Sequence, residues 1–403
     1  MSKSDARKRD VSADMKEAVR RLTDETRARI RSLPNGGIIG DDAEIRAYIE
    51  ERILTGSEYE RLTVREKIRA ADTVFSKTRK KLGILQPFAD DTSVSEIMVN
   101  GPRDIFIEKG GQVMRADAAF DDAEELEEVI RRIAADIHRE INELSPILDA
   151  RLADGSRVNA VYKNVALNGP ILTIRKFPES RITMKELLGF GTLTEEAAAF
   201  LVTLVKAAYN IFISGGTSSG KTTFLNALSN FIPKHERIVT IEDSAELQIV
   251  EIENIVKLEC RSANAQDKGG VDMTQLIRAS LRMRPDRIIV GEVRGVEVLD
   301  MIQAMNTGHA GSLSTGHANS PSGMLYRLEA MFLQAADYPI AAIRRQITEG
   351  IDIIVHLGRV QGGRRLVLEI SEIAGMDGGE INLNKLFDFS PERGLFRTEN
   401  PLL

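Results

Sequence analysis

The chain has 403 residues, and at about 150 residues per domain this predicts two to three domains with a core that needs no disulfide or metal staple. Its 54 Lys and Arg against 60 Asp and Glu leave a net charge of −6, which excludes a surface that is basic throughout and argues against a general nucleic-acid binder. The single cysteine, Cys260, excludes an internal disulfide and a cysteine-rich zinc module, and it fits a reducing compartment.

Residues 1–40 are read as a basic, disordered arm: Lys3, Arg7, Lys8, Arg9, Lys16, Arg20, Arg21, Arg27, Arg29 and Arg31 outnumber the acids, and apolar positions are sparse. No apolar signal-peptide core is present there. The breaker Leu33-Pro34-Asn35-Gly36-Gly37 separates this arm from a helical unit, 41–83, with Ile45, Ile49 and Ile53 at four-residue steps, then Ile68, Ala71, Phe75 and Leu82. From 84 to 178 the pattern predicts an α+β domain. Strands 97–99 and 105–107 flank the turn Asn100-Gly101-Pro102, a helix runs from Glu124 to Ile141, and strands 157–161 and 171–175 close the domain. Residues 179–190 read as a linker, and 191–403 alternate strands and helices as a parallel α/β sheet does. The longest apolar run, Ala197 to Val205, stops at Lys206, short of the ~20 residues a membrane span needs, so the chain is expected to be soluble with only peripheral membrane contact.

The strongest local signal is Ile211-Phe212-Ile213-Ser214 running into Gly215, Gly216, Thr217, Ser218, Ser219, Gly220, Lys221, Thr222 and Thr223 and then a helical run. This is G-x-x-x-x-G-K-T in a strand–loop–helix setting. Glycines let such a loop turn its backbone N–H groups onto phosphate oxygens, and the helix adds its positive end. Lys221 is expected on the β- and γ-phosphates of ATP and Thr222 on Mg²⁺. Three later strands also end in polar groups: 238–241 at Glu242-Asp243, 288–290 at Gly291-Glu292, and 312–315 at Gly316-His317. Ligands of open α/β sheets bind beyond the carboxyl ends of the strands, so Lys221, Glu242, Glu292 and His317 are expected at one edge. Either glutamate suits the attacking water or the ion's water shell. Arg151, Arg157 and Arg175 are candidate arginine fingers from the N-terminal half, which would couple hydrolysis to interdomain motion. His309 and His317 lack cysteine or carboxylate partners at ligand spacing, so zinc is not expected and a phosphate-sensing or interface role is preferred. The C-terminal part predicts a helix capped by Ser320-Pro321, another opened by Pro339, and a hairpin, 351–357 with 366–370, without evident chemistry.

Together, four segments resemble the secretion-ATPase superfamily that powers type II and type IV secretion and type IV pili: 214–223 (SGGTSSGKTT), 241–247 (IEDSAEL), 281–294 (LRMRPDRIIVGEVR) and 305–319 (MNTGHAGSLSTGHAN). They are similar, in order, to its Walker A, Asp box, Walker B and His box. Residues 94–101 (VSEIMVNG) and 154–158 (DGSRV) resemble its N-terminal domain. Within the superfamily the chain most resembles the ATPases of tight-adherence (Tad) pilus assembly. The resemblance implies a RecA-like ATPase domain, a PAS-like N-terminal domain, a homohexameric ring, and a cytoplasmic location at an inner-membrane platform protein. It maps the Asp-box glutamate to Glu242, the Walker B glutamate to Glu292 and the His-box histidine to His317, and Arg294 and His309 are counted with the nucleotide-binding groups.

Three positions depart from the family pattern: the four-cysteine zinc motif of some branches is missing, Ala310 follows His309 where an acid is usual, and Ser218 replaces a loop glycine. A conjugation-type ATPase moving effectors or DNA is the nearest alternative. A RecA-like nucleic-acid motor is more distant, since the chain has no Trp, few aromatics for base stacking and a net negative charge. A GTPase is disfavoured because Asn384-Lys385 is followed by Leu386-Phe387 rather than by the Asn-Lys-x-Asp pattern.

Overall fold

The structure, a computed structural model, describes residues 3–32, 42–137, 139–177, 181–261 and 269–403, with side chains from Glu17 onward except that of Gln361. The chain divides into two compact units, Met1–Glu179 and Ser180–Leu403.

The first unit opens with three helices, α1 (Lys3–Ser32), α2 (Asp42–Thr55) and α3 (Val64–Arg79). The expected disordered arm is therefore corrected over most of its length. Ala18, Leu22 and Thr26 recur every fourth residue and are buried, and Ala18 and Leu22 share a core with Ile45, Ile49, Ile53, Val74 and Phe75. This stripe is narrow, but Arg20, Arg21 and Glu25 between its positions are good helix formers. The breaker at 33–37 lies outside the described residues. Ile68, expected on the buried face of α3, is instead exposed. Thr63 caps α3 in a reciprocal pair with Glu66.

A short helix α4 (Gln86–Asp90) leads into β1 (Val94–Asn100), β2 (Ile105–Lys109), β3 (Gln112–Arg115), α5 (Ala123–Asp136), β4 (Ile147–Arg151), β5 (Arg157–Val161) and β6 (Ile171–Arg175). These strands form an antiparallel sheet in the order β3-β2-β1-β6-β5-β4. Leu126, Val129, Ile130 and Ile133 of α5 pack with Ile97, Val99, Val158, Leu172 and Ile174. Lys77 of α3 is buried with Asp121 at 2.6 Å and Glu125 at 3.2 Å, which ties the helices to this domain.

The second unit contains α6 (Met184–Gly189), α7 (Glu195–Lys206), β7 (Ile211–Gly215), α8 (Lys221–Ser229), β8 (Ile238–Glu242), β9 (Ile255–Glu259), α9 (Met273–Ser280), β10 (Arg287–Val293), α10 (Val298–Asn306) and β11 (Leu313–His317). It continues with α11 (Pro321–Ala335), α12 (Ile340–Gly350), β12 (Ile353–Arg359), β13 (Arg365–Asp377), β14 (Glu380–Ser390) and β15 (Gly394–Arg397). The expected linker is corrected in part, because a reciprocal Thr183–Glu186 cap starts α6 and Met184 and Leu187 enter the core of this unit.

The sheet runs β15-β14-β13-β12-β7-β11-β10-β8-β9, parallel from β12 to β9 and antiparallel from β12 to β15. Alternate residues of β7 serve two cores. Ile211 and Ile213 pack with α7 and α8, and Phe212 packs with α10 and α11. A strand buried on both faces reads as a continuous apolar run, which is why β7 was legible. No helix among the described residues is long and apolar enough to cross a membrane.

Candidate active site

The carboxyl ends of β7, β11, β10 and β8 meet at one edge of the parallel sheet. Gly215 closes β7 where a side chain cannot fit: a Cβ there would lie 2.5 Å from the Leu357 carbonyl oxygen and 2.6 Å from Ser219 Oγ. Ser218 takes a left-handed backbone, φ 57°, and Gly220, at φ 95°, is the residue before α8. The loop carries Gly216, Thr217 and Ser219 between these points, and Thr222 and Thr223 stand half-buried in the first turn of α8.

Lys221 begins α8 and is buried. Its Nζ donates to the carbonyls of Gly215 at 3.2 Å and Gly216 at 3.1 Å, and lies 3.1 Å from Nδ1 of His317. An ammonium only donates, so Nδ1 is the unprotonated nitrogen and the ring proton sits on Nε2. Nε2 in turn faces Glu292 Oε1 at 2.7 Å. Burial lowers the basicity of both Lys221 and His317, with Glu292 opposing the effect in each case. The other oxygen of Glu292 binds Arg294 at 2.8 Å, and Arg294 reaches Asp243 at 3.3 Å. Lys221, His317, Glu292, Arg294 and Asp243 thus form a continuous chain of alternating character.

Glu242 ends β8 and is 3% exposed. Its Oε2 accepts from the N–H groups of Glu246 at 2.6 Å and Leu247 at 3.0 Å, whereas Oε1 is buried with no hydrogen-bond partner. Burial pushes its carboxyl up to about 7. Gly291 makes room for it, since a Cβ there would meet Glu242 Cγ at 3.1 Å.

The structure does not bring His309 to this edge. It precedes β11 at the strand's entry end, where its Nδ1 faces the Ala304 carbonyl at 3.1 Å and its own carbonyl accepts from Ser312. Arg151, Arg157 and Arg175 lie in the first unit and are brought to one another: Arg157 pairs directly with Arg151 on β4 and with Arg175 on β6. Arg151 also donates to the Gly155 carbonyl at 3.2 Å and stacks over Phe177.

Two residues escaped the sequence reading, and both come from the hairpin that read as inert. His356 on β12 is buried, with Nδ1 2.8 Å from Ser214 Oγ and a second bond to the backbone of Asn319, so it spans the strands that deliver Lys221 and His317. Arg365 at the start of β13 donates from Nε to the Ser218 carbonyl at 3.0 Å. In sequence, one is a polar interruption of an apolar strand and the other a charge beside a Gly-Gly turn. Neither carries a spacing signal.

A parallel sheet that sets a G-x-x-x-x-G-K-T loop and acidic strand ends on one edge defines a mixed α/β chain of the P-loop class. The chain belongs to the type II/IV secretion system protein family, whose model matches residues 78–365. It is 35% identical over 289 residues to the conjugal transfer protein TrbB of Rhizobium radiobacter, covering 71% of this chain and 85% of that one. It is 34% identical over 316 residues to the type IV secretion system protein PtlH of Bordetella pertussis strain Tohama I, covering 72% and 93%. The crystal structure of the pilus retraction motor PilT with bound ADP shares the fold, with a TM-score of 0.55 at 19% identity over 77% of this chain and 84% of that one.

Proposed function

We propose that this chain hydrolyses ATP to ADP and phosphate and that a homohexamer of it drives assembly of a Tad-like type IV pilus from the cytoplasmic face of an inner-membrane platform. The RecA-like and PAS-like assignments of the two domains belong to the same reading. The observation that carries the enzymatic part is the Lys221–His317–Glu292 chain at the exit of the parallel strands. A cation held on loop carbonyls is poised to exchange them for phosphate oxygens, and it is linked through one imidazole to a carboxylate. Phosphoryl transfer requires positioning and charge neutralisation above all. Lys221 supplies the charge, the loop N–H groups supply the cradle, and His317 reports the lysine's position to Glu292.

The donor set fits Mg²⁺ carried by the nucleotide. Among the described residues no group of three or more His, Cys, Asp or Glu is gathered around a metal, whereas Thr222 offers a hydroxyl and Glu242 a buried, partnerless oxygen. The ion would be held by Thr222 and, through water, by Glu242 or Glu292, and when bound it neutralises charge on the phosphate oxygens.

The test is steady-state ATPase activity of the full chain. Lys221→Ala and Glu292→Gln are each expected to lose about 10²-fold or more in turnover. Full turnover in both overturns the site. A second reading, a conjugation-type ATPase, is favoured by the names of the relatives, TrbB and PtlH. Deleting the gene distinguishes the two: loss of surface pili with transfer intact supports the first, and loss of DNA or effector transfer with pili intact supports the second.

A further inference from the structure

Ser218 is a non-glycine residue in the left-handed region, a conformation that costs an L side chain steric energy. Its carbonyl is not left to water. Arg365, 147 residues later in the chain, donates to it from Nε at 3.0 Å. The same side chain passes beside Gly220, where a Cβ would meet Arg365 Cδ at 3.4 Å. Arg365 is itself exposed and stands on a rigid base. It pairs with Arg359 across the β12–β13 hairpin, and β12 is registered on β7 with Leu357 opposite Gly215 and His356 bonded to Ser214.

The consequence concerns the next peptide. In a trans peptide the C=O and the following N–H point in opposite directions. Fixing the Ser218 carbonyl on Arg365 therefore turns the Ser219 N–H inward, where it makes only a long 3.4 Å bond to the Gly216 carbonyl. That N–H is the kind of weakly committed donor a phosphate-binding loop presents to an anion.

We propose that Arg365 is a positioning residue of the phosphate loop: it holds the Ser218 peptide in its left-handed setting so that the loop is preorganised for the phosphates of a nucleoside triphosphate. This rests on the reading of the loop as a nucleotide site. The mechanism makes an asymmetric prediction, because glycine occupies the left-handed region without strain and so removes the need for the arginine.

The experiment is a double-mutant cycle on the full chain, with Mg-ATP binding measured calorimetrically for wild type, Arg365→Ala, Ser218→Gly and the double variant, and with Arg365→Lys and Lys221→Ala alongside. Arg365→Ala is expected to weaken binding about tenfold with an unchanged melting temperature, since a charge-assisted bond is lost at an exposed position. Ser218→Gly supplies the reference background: the same arginine deletion made there is expected to cost no more than about threefold relative to Ser218→Gly itself, and Arg365→Lys is expected to recover part of the loss. Equal losses in both backgrounds mean that the arginine acts by its charge alone and overturn the inference, as does a wild-type affinity in Arg365→Ala. Absence of ATP binding by the wild-type chain overturns the nucleotide reading itself.

Discussion

Glu242 has two conflicting demands on it. It is almost fully buried, which favours the neutral acid, yet it ends a strand beside a phosphate loop, where a carboxylate is of chemical use. The shift from an ordinary glutamate value to about 7 has a definite sign for stability. Between about pH 4.5 and 7 the folded chain keeps this proton while the unfolded chain has lost it, so stability falls as pH rises through that window and the deficit is complete above 7. On the order of 3 kcal/mol is at stake when the shift is converted directly. Glu242→Gln is therefore expected to raise the melting temperature at pH 8 and to leave it almost unchanged at pH 4.5. The same substitution is expected to lower ATP turnover, because an amide cannot accept a proton from water. Melts at the two pH values check the first expectation and a turnover assay checks the second. A variant destabilised at pH 8 would mean that the carboxylate is stabilised by contacts not seen around its free oxygen.

Strands of the parallel sheet carry polar groups at both ends, and only one end serves the site. This explains most of what sequence reading placed well and what it misplaced. Glu242 and Glu292 were legible at the ends of largely apolar runs, Lys221 by the G-x-x-x-x-G-K-T spacing and His317 at the end of a short strand, and parallel strands align their exits. His309 lies at the entry end of β11, and in sequence a polar group before a strand resembles one after it. His317 is the last residue of β11, roughly 13 Å along the strand from Leu313, whereas His309 precedes that strand. Arg287 illustrates the entry end. It reads as a surface charge between Asp286 and Ile288 but is 1% exposed, bound to Glu236 through both its Nε and a terminal nitrogen and to the Val205 carbonyl at 2.6 Å. Replacing it by Met leaves Glu236, itself nearly buried, without its cation, and is expected to cost about 3–5 kcal/mol in denaturant unfolding. Edge strands β3 and β4 were missed for another reason. All four residues of β3 are exposed, so no apolar alternation marks it. The narrow stripe of α1 fell below the periodicity that identifies a helix, although burial of Leu22 is enough to seat it.

Each unit has its own apolar core, so a charge change on the sheet of the first leaves the packing of the second intact. Arg151, Arg157 and Arg175 of the first unit stand in one row across β4, β5 and β6. Like charges placed directly opposite across neighbouring strands repel, typically by a few tenths of a kcal/mol per pair. In a chain with a net charge of −6, three arginines at one level of a sheet are a local concentration of positive residues. Neutralising the middle member separates folding from chemistry. Arg157→Gln takes the charge from the middle of the row, and the melting temperature is expected to stay within a few degrees of wild type, as for a charge outside the apolar core. If the row meets phosphate oxygens during turnover, the same variant loses about 10²-fold or more in kcat, in the range of arginine fingers, with a much smaller change in ATP affinity. Added salt separates the explanations further, because a diffuse field effect is screened within about 10 Å at 0.1 M whereas a direct guanidinium–phosphate contact persists. A stable Arg157→Gln chain that retains at least half of wild-type kcat at low and high salt removes the row from the mechanism and leaves it as a solvated sheet end.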